Sequence, residues 1–266
     1  MTENELIIMG QWSIETLETL MKEAGVIDEP GERIAFLSRR FLGTFYHEFT
    51  LIGDQKREEL LVVNLEAVDC FTFVDYVEAM RLSSSFPEFK ESLKKIRYRG
   101  GVVSFENRNH FFTDWVKFNR DHIEDITDAI GLRNIRTVPK ILNLKEEGTY
   151  FLAGIEPVHR EIKYIPSSSL DSQVVGGLKT GDYIGIYSEL DGLDVSHVGI
   201  FIRAGRSPFL RHASSKKEIR QVVDEAFMEY VRNKAGIIVL RAKVSGKDTS
   251  GQTDRPVNPP HASMPR

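Results

Sequence analysis

The chain has a single cysteine, Cys70, in a setting that suits a nucleophile. Asp69 directly before it is a good helix N-cap residue, and the apolar residues Phe73 and Val77 follow at helical spacing. A thiol at a helix start faces unpaired backbone N–H groups and the positive end of the helix dipole, so we predict a lowered pKa for Cys70. On these grounds alone, the more common alternative is a buried, inert thiol that packs as a small hydrophobic group.

Two histidines stand at the ends of apolar runs later in the chain. His197 opens the run 198–202, and His212 closes the run 209–211. If the two runs pair as a hairpin, the two imidazoles are neighbours and one can orient the other. A nucleophilic thiol needs a base, and the base needs a third group that fixes its tautomer. Cys70, His197 and His212 therefore form a candidate catalytic set.

The composition favours an enzyme that works with side chains alone. One cysteine excludes disulfides within the chain and zinc sites built from cysteine pairs, and neither His-Glu-x-x-His nor a Gly-rich phosphate loop occurs. We therefore predict no metal and no cofactor. The net charge of -4 gives no reason to expect nucleic-acid binding.

The sequence also predicts no membrane insertion. No apolar run approaches the ~18 residues that span a bilayer. The acidic start, residues 1–5, lacks the positive region of a signal peptide. A cytoplasmic or periplasmic protein is the expectation, and the oligomeric state stays open.

Helical periodicity dominates the first half of the chain, and strand periodicity dominates the end. Helices are predicted over 13–23, 30–42, 69–82, 86–96 and 224–232, and strands over 60–63, 183–187, 197–202, 208–212 and 237–240. Helices first and an antiparallel sheet later indicate an α+β fold.

Two middle segments attract functional interpretations. Residues 104–120 are dense in aromatic and polar side chains, which is typical either of a substrate wall or of a structural helix with a core face. Residues 138–180 show poor periodicity with scattered Gly, Pro and Ser, which predicts a loop-rich wall.

We therefore expect a single catalytic domain over 1–243. It comprises a helical part over 1–135, a loop-rich insertion over about 138–180 and an antiparallel sheet over 181–243. Residues 244–266 are rich in proline and poor in large apolar groups, which predicts a disordered tail. A second His-Ala-Ser triplet falls in this tail, so its His261 is not a catalytic candidate.

Four local patterns, in this order, resemble the NlpC/P60 superfamily of papain-like cysteine peptidases, which act on bacterial cell-wall peptides. They are Asp-Cys before an apolar helix (69–74), Leu-x-x-Gly-Asp before a strand (178–182), His-Val-Gly-Ile in the next strand (197–200), and His-Ala-Ser (212–214). The resemblance implies a papain-like fold in which N-terminal helices, with the nucleophile at a helix start, pack on the C-terminal antiparallel sheet. It also implies a Cys-His-His triad.

More narrowly, the chain resembles the DUF1460 subfamily of N-acetylmuramoyl-L-alanine amidase-like proteins from about residue 30 to 243. The similar segments are 63–73, 108–115 and 192–197. This resemblance implies a muropeptide substrate derived from peptidoglycan. The bond cut would be the amide between N-acetylmuramic acid, often in its anhydro form, and the L-alanine of the stem peptide.

One departure from the superfamily pattern bears on the substrate. Ser and Gly usually follow the nucleophile, and here these positions hold Phe71 and Thr72. In typical members the Asp and Ser around the cysteine help to recognise a free peptide amine. Loss of the Ser fits an L-Ala nitrogen that is already acylated by the muramyl lactyl group.

The candidate substrate-binding residues are Asn64, Asp69, Arg108, His110, Asp114 and Trp115. We expect Arg108 to meet a stem-peptide carboxylate, and Trp115 or Phe111 to stack on a sugar. Two alternatives to the amidase stay open: a γ-D-glutamyl–diaminopimelate endopeptidase with the same triad, and a non-catalytic cell-wall-binding module.

Overall fold

The computed structural model describes residues 4–205 and 207–244. The predicted tail beyond Val244, with His261, lies outside the described residues. The helices are α1 (Ile14–Gly25), α2 (Pro30–Arg39), α3 (Cys70–Arg81), α4 (Phe86–Arg97), α5 (Phe112–Phe118), α6 (Thr127–Gly131), α7 (Ser172–Gly177) and α8 (Phe227–Val231). The strands are β1 (Glu5–Ile8), β2 (Phe45–Tyr46), β3 (Leu61–Asn64), β4 (Ala67–Val68), β5 (Ile123–Asp125), β6 (Arg136–Leu142), β7 (Val158–Pro166), β8 (Tyr183–Tyr187), β9 (Val195–Ala204), β10 (Ser207–Ala213), β11 (Val222–Ala226) and β12 (Gly236–Ala242).

The described residues form an eight-stranded sheet in the order β11-β10-β9-β8-β12-β7-β6, with β5 also paired to β12. Every pairing in it is antiparallel. The predicted α+β class is therefore confirmed. Two small parallel pairs, β1 with β3 and β2 with β4, lie outside this sheet and were not predicted.

Helices cover both faces of the sheet. Along β12, Ile238 and Leu240 pack into the core that holds α1 to α4, whereas Ile237 and Val239 pack into a second core with α6 to α8. This alternation is the period-two pattern of a strand. Because both faces are buried, β8 is apolar along its whole length, like the central strand of a layered sheet.

The predicted loop-rich insertion over 138–180 is wrong where two strands run through it. Residues 136–142 and 158–166 form β6 and β7, which pair in register from Arg136 with Tyr164 to Leu142 with Val158. The alternating charged residues of β7 and the proline in β6 hid these strands. β6 ends the sheet order, and a proline is tolerated on an edge strand.

The predicted helix over 224–232 is wrong in its first residues. Residues 222–226 form β11, and only Phe227–Val231 are helical. β11 is the other edge strand, so one face is exposed and carries charged residues that are also common in helices.

Candidate active site

The start of α3 is fixed by a reciprocal capping box. Asp69 Oδ1 accepts hydrogen bonds from the N–H groups of Phe71 (2.9 Å) and Thr72 (2.7 Å), and Thr72 Oγ1 accepts one from the Asp69 N–H (3.0 Å). These bonds satisfy first-turn donors that the helix itself cannot pair. Cys70 is thereby held at the first helical position, as the sequence predicts.

The two histidines meet on a hairpin. β9 and β10 pair antiparallel, with Arg211 opposite Ile200. His197 Nε2 lies 2.7 Å from His212 Nδ1, and the rings are almost perpendicular. Gly199 makes room for this contact, because a Cβ there would stand 3.0 Å from His212 Cβ and 2.9 Å from the Arg211 carbonyl oxygen.

The thiol of Cys70 lies against the backbone of β9, the strand that carries His197. The backbone N–H of Val198, the residue after His197, hydrogen-bonds to the thiol. Because His197 Nε2 is bound to His212, Nδ1 is the ring nitrogen left for the thiol. The structure therefore pairs the two histidines and brings Cys70 to the residue that follows His197.

Burial sets the protonation states of Cys70 and His197. It raises the pKa of the Cys70 thiol to about 12, and the charge of Asp69 adds to the rise. The N–H groups of the helix start and of Val198 lower that pKa but do not outweigh burial. Burial is the main cause that lowers the pKa of His197 to about 3. The predicted lowered thiol pKa is therefore wrong, and the resting pair is a neutral thiol and a neutral imidazole.

A fourth polar residue, Glu225 on β11, extends the chain of contacts. Its Oε1 lies 3.0 Å from His212 Nε2, and Oε2 contacts the Lys216 ammonium. The Tyr230 ring packs on His212 at 4.8 Å between centroids. Sequence reasoning missed Glu225 because the segment was assigned to a helix. If the segment is instead assigned to a strand that pairs with β10, Glu225 comes close to His212.

A cleft of about 680 Å³ opens beside Cys70, a size that suits a small-molecule site. Its walls come from the loop over 48–56, the loop over 151–153 and the start of α3. Gly154 lets the two loops meet, since a Cβ there would stand 2.9 Å from Gln55 Cγ. Lys56 and Arg108 are the cationic side chains among the described residues of the lining.

The loop over 48–56 presents Phe49 to solvent in an unusual backbone conformation. Phe49 is 90% exposed and has a φ of 57°, in the left-handed region that bulky residues avoid. The chain on either side is anchored, because the His47 N–H donates to the Val68 carbonyl (3.0 Å) and the Leu60 N–H donates to the Ile52 carbonyl (3.0 Å).

Tyr46 is a second residue that sequence reasoning missed. It lies on β2 and lines the cleft. Burial raises the pKa of Tyr46 to about 12, and the next largest cause is the charge of a Cys70 thiolate. The phenol therefore lies close to the nucleophile.

Trp115 does not line the cleft. Its side chain is fully buried, its Nε1 donates to Asp75 Oδ1 at 3.0 Å, and its ring is stacked on Phe112 at 6.0 Å. Phe111 is also buried. The structure contradicts the predicted stacking of either ring on a sugar, because neither presents a face to solvent. The buried aromatic rings fit the alternative interpretation of 104–120 as core, although only Phe112–Phe118 are helical.

Asp114 and His110 are likewise held inside the protein. Asp114 is 2% exposed and accepts hydrogen bonds from Arg99 (3.1 Å) and Arg160 (2.6 Å). His110 Nε2 lies 2.8 Å from the Phe105 carbonyl oxygen, and burial lowers the pKa of His110 to about 4. The structure does not bring either residue to the cleft lining.

Asn64, Arg108 and Asp69 have structural partners. Asn64 Oδ1 accepts the N–H groups of Glu66 and Ala67 in a tight turn, away from the cleft lining. Arg108 does line the cleft, but its guanidinium is paired with Glu59, with Nε 3.0 Å from Oε1. The carboxylate that we expected it to meet in a substrate is therefore already supplied by the protein. Asp69 lines the cleft while capping α3.

Other kinds of site are not found among the described residues. Residues 4–205 and 207–244 contain no group of three or more His, Cys, Asp or Glu side chains that could hold a metal ion. Over the same residues no helix is both long enough and apolar enough to cross a membrane.

A family model described as N-acetylmuramoyl-L-alanine amidase-like matches residues 36–237. The chain belongs to this family. A solved N-acetylmuramoyl-L-alanine amidase from Bacteroides uniformis is 28% identical, with a TM-score of 0.68, over 80% of this chain and 99% of that one. A Legionella pneumophila protein of the DUF1460 family shares the fold, with 23% identity and a TM-score of 0.73 over 86% of this chain and 94% of that one.

A third similar structure, from Bacteroides fragilis, carries a provisional name as a xylanase. It is 28% identical, with a TM-score of 0.62, over 77% of this chain and 98% of that one. No curated protein sequence matches the chain. The family and the amidase-named neighbour support an amidase-like hydrolase.

Proposed function

We propose that this protein is a cysteine amidase that hydrolyses the amide between N-acetylmuramic acid, or its anhydro form, and L-alanine in peptidoglycan fragments. Its triad is Cys70, His197 and His212, in an NlpC/P60-like, papain-like arrangement. One observation supports the proposal: the thiol lies at a helix start against the backbone of Val198, and the preceding His197 is bound through Nε2 to His212.

The first step follows from the neutral resting pair. His197 Nδ1 takes the proton from the Cys70 thiol as Sγ attacks the lactyl carbonyl carbon. The C–S bond forms, the carbonyl π electrons move to oxygen, and His197 becomes an imidazolium. Because the thiol pKa is raised, proton transfer accompanies attack instead of preceding it.

Two donors support the negative charge that develops on the carbonyl oxygen. The Asp69 cap binds the N–H groups of Phe71 and Thr72, whereas the Cys70 N–H is directed at its own thiol. That N–H is the first oxyanion donor, and the Tyr46 hydroxyl is the second. Each such donor contributes ~3 kcal/mol to catalysis.

The second half of the reaction releases both products. His197 returns its proton to the L-Ala nitrogen as the C–N bond breaks, which leaves a thioester on Cys70. His197 then takes a proton from water, which attacks the thioester and regenerates the thiol. The products are the free stem peptide and the muramic acid carboxylate.

The cleft chemistry fits a substrate with an acylated L-Ala nitrogen. The position after the nucleophile holds Phe71, which lines the cleft with its ring edge-on to Phe112 and Trp115. It offers no hydroxyl to a charged amine. Phe49 in the cleft wall presents an aromatic face for the sugar, in place of Trp115 and Phe111.

The acidic stem peptide has a different anchor from the one predicted. Of the cationic side chains in the described cleft lining, Arg108 is paired with Glu59 and Lys56 has no carboxylate partner. Lys56 is therefore the group that meets a stem-peptide carboxylate, and Arg108 with Glu59 supports the floor of the loop.

Thiol chemistry fits the site better than glycoside hydrolysis. A glycosidase needs two carboxyl groups facing the scissile bond, one of them free to act as an acid. In the described lining, Asp69 caps α3, Asp54 Oδ1 accepts backbone N–H groups of its own turn, and Glu48 is paired with Arg220. Each of these carboxylates is already engaged.

The bond cut and the compartment belong to the same proposal. A γ-D-glutamyl–diaminopimelate endopeptidase would use the same triad, but it would act on a stem peptide whose L-Ala amine is free. Recycling of wall fragments suits either a cytoplasmic or a periplasmic enzyme.

Product analysis of one defined anhydromuropeptide tests the proposal. Mass spectrometry should find the intact stem peptide and the free anhydromuramic acid. Cys70→Ala and His197→Ala should lose turnover by at least about a hundredfold, whereas His159→Ala, outside the cleft, should not. An anhydromuramoyl-L-Ala-D-Glu product would reject the amidase, and unchanged turnover in Cys70→Ala would reject the cysteine mechanism.

A further inference from the structure

The carboxylate of Glu225 ends a line of hydrogen bonds that begins at His197. Glu225 Oε1 lies 3.0 Å from His212 Nε2, and His212 Nδ1 lies 2.7 Å from His197 Nε2. His212 is 1% exposed, so water does not compete for its ring nitrogens. In each contact, the group that donates the hydrogen bond is decided by the next group toward Glu225.

The Lys216 ammonium keeps this carboxylate ionised. Burial alone would raise the pKa of Glu225, but the hydrogen bonds from Lys216 and His212 outweigh it and lower that pKa. An ionised carboxylate can only accept hydrogen bonds. His212 Nε2 must therefore carry a proton and donate it to Glu225.

The donor and acceptor roles of the other ring nitrogens of His212 and His197 follow from this assignment. Burial lowers the pKa of His212, which keeps the ring neutral with a single ring proton. With that proton on Nε2, Nδ1 of His212 is an acceptor, so His197 Nε2 must be the donor in the 2.7 Å contact. A neutral His197 with its proton on Nε2 presents the lone pair of Nδ1 to Cys70.

We propose that Glu225 is a positioning residue that fixes the tautomers of both histidines, and so makes His197 Nδ1 the base for Cys70. It touches neither the substrate nor the thiol. The inference rests on the proposed function only for its kinetic consequence, because the tautomers are a property of the free protein.

The geometry around the pair leaves little freedom for another arrangement. The Tyr230 ring lies 4.8 Å from the His212 ring, and the absent side chain of Gly199 lets the two imidazoles approach. Neither ring can turn over without losing its 2.7 Å or 3.0 Å contact. The choice of tautomer is therefore set from the Glu225 end.

Glu225→Gln tests this assignment, because the amide keeps the shape of the side chain but can donate a hydrogen bond. Nitrogen-15 NMR of the imidazoles in the free wild-type protein should show His197 and His212 protonated on Nε2 alone. In Glu225→Gln both should become mixtures of the two tautomers. Glu225→Asp should retain the wild-type tautomers if its carboxylate reaches His212.

The values of kcat and KM distinguish a positioning role of Glu225 from a role in folding alone. We expect kcat on the anhydromuropeptide to fall at least about tenfold in Glu225→Gln with KM unchanged. The matched control is Glu229→Gln, an exposed glutamate on α8, which should leave both constants unchanged.

Wild-type tautomers in Glu225→Gln, or an Nδ1 proton on His197 in the wild type, would overturn the proposal. So would a kcat equal to that of Glu229→Gln. If the protein hydrolyses no muropeptide at all, the proposed function fails while the NMR result still decides the role of Glu225.

Discussion

Two segments that each contain aromatic and charged residues lie in opposite environments in this molecule. The segment over 105–115 and the loop over 48–56 both combine aromatic side chains with charged ones. The first buries Trp115 and Asp114, which are bound by protein partners. The second forms the wall of the cleft beside Cys70 and leaves an aromatic ring exposed.

The difference lies in how each stretch satisfies its polar groups. The charges of 105–115 are matched by residues far along the chain, such as Arg160, which makes burial possible. Much of the polar matching in the 48–56 loop uses its own backbone, for example Asp54 with the N–H groups of Lys56 and Arg57. Its side chains are therefore free to face a ligand.

Cys70 lies between the two segments. The rate at which its thiol is alkylated reports the pKa that burial gives to it. Only the thiolate reacts, and burial raises the pKa of Cys70 from 9.0 to about 12. At neutral pH, iodoacetamide labelling should therefore be about a thousandfold slower than for an ordinary thiol. The rate should keep rising with pH beyond 9, where a model peptide thiol levels off. A plateau near or below pH 7 would instead show a thiolate–imidazolium pair.

Trp115→Ala tests the buried side of the comparison. Removing a large core side chain costs ~3–5 kcal/mol of unfolding free energy, and here it also removes a donor to Asp75. Urea denaturation should show that loss, while KM of the folded protein stays unchanged.

If Trp115→Ala does not fold, Trp115→Phe gives a milder reading. It keeps a ring but removes the N–H, so it should cost ~1–3 kcal/mol. A raised KM with wild-type stability, in either variant, would return Trp115 to the substrate wall.

Phe49→Ala tests the exposed side. The ring is solvent-exposed, so the free energy of unfolding should change by no more than ~0.5 kcal/mol. Loss of one aromatic contact to the sugar should lower kcat/KM about fivefold, equivalent to ~1 kcal/mol. The control is Phe45→Ala, a 67% exposed phenylalanine outside the cleft lining. Equal kcat/KM values for the two variants would remove Phe49 from the substrate site.

Lys56→Gln should have the smallest effect. An exposed ion pair with a stem-peptide carboxylate contributes ~0.4–1 kcal/mol at low salt, so KM should rise about two- to fivefold. The rise should shrink as salt screens the pair. An unchanged KM at low salt would mean that the stem peptide is held elsewhere.

The sequence predicted best those features whose causes are local. The capping residue Asp69, the stripe behind it and the two strand-end histidines each carry a nearby signal, and the structure places them as expected. Features set by distant partners were missed. Glu225 becomes relevant only through the register of β11 on β10, and Trp115 is buried because Asp75 and Phe112 cover it.

The raised pKa of the Cys70 thiol is another feature that is set by distant partners. The helix start does supply N–H groups that lower it, as the local argument predicts. The desolvation that outweighs them comes from packing against β9, which no pattern around Cys70 reveals.

The central claim is that Cys70 attacks the lactyl carbonyl of a muramoyl peptide. The most direct measurement is acid quenching of wild-type protein during turnover of anhydromuropeptide, followed by mass spectrometry of the peptide that contains Cys70. The account predicts an anhydromuramoyl group on Cys70 as a thioester, and neither an adduct nor turnover in Cys70→Ala. An anhydromuramoyl-L-alanyl-γ-D-glutamyl group on Cys70, or turnover that persists in Cys70→Ala, would contradict it.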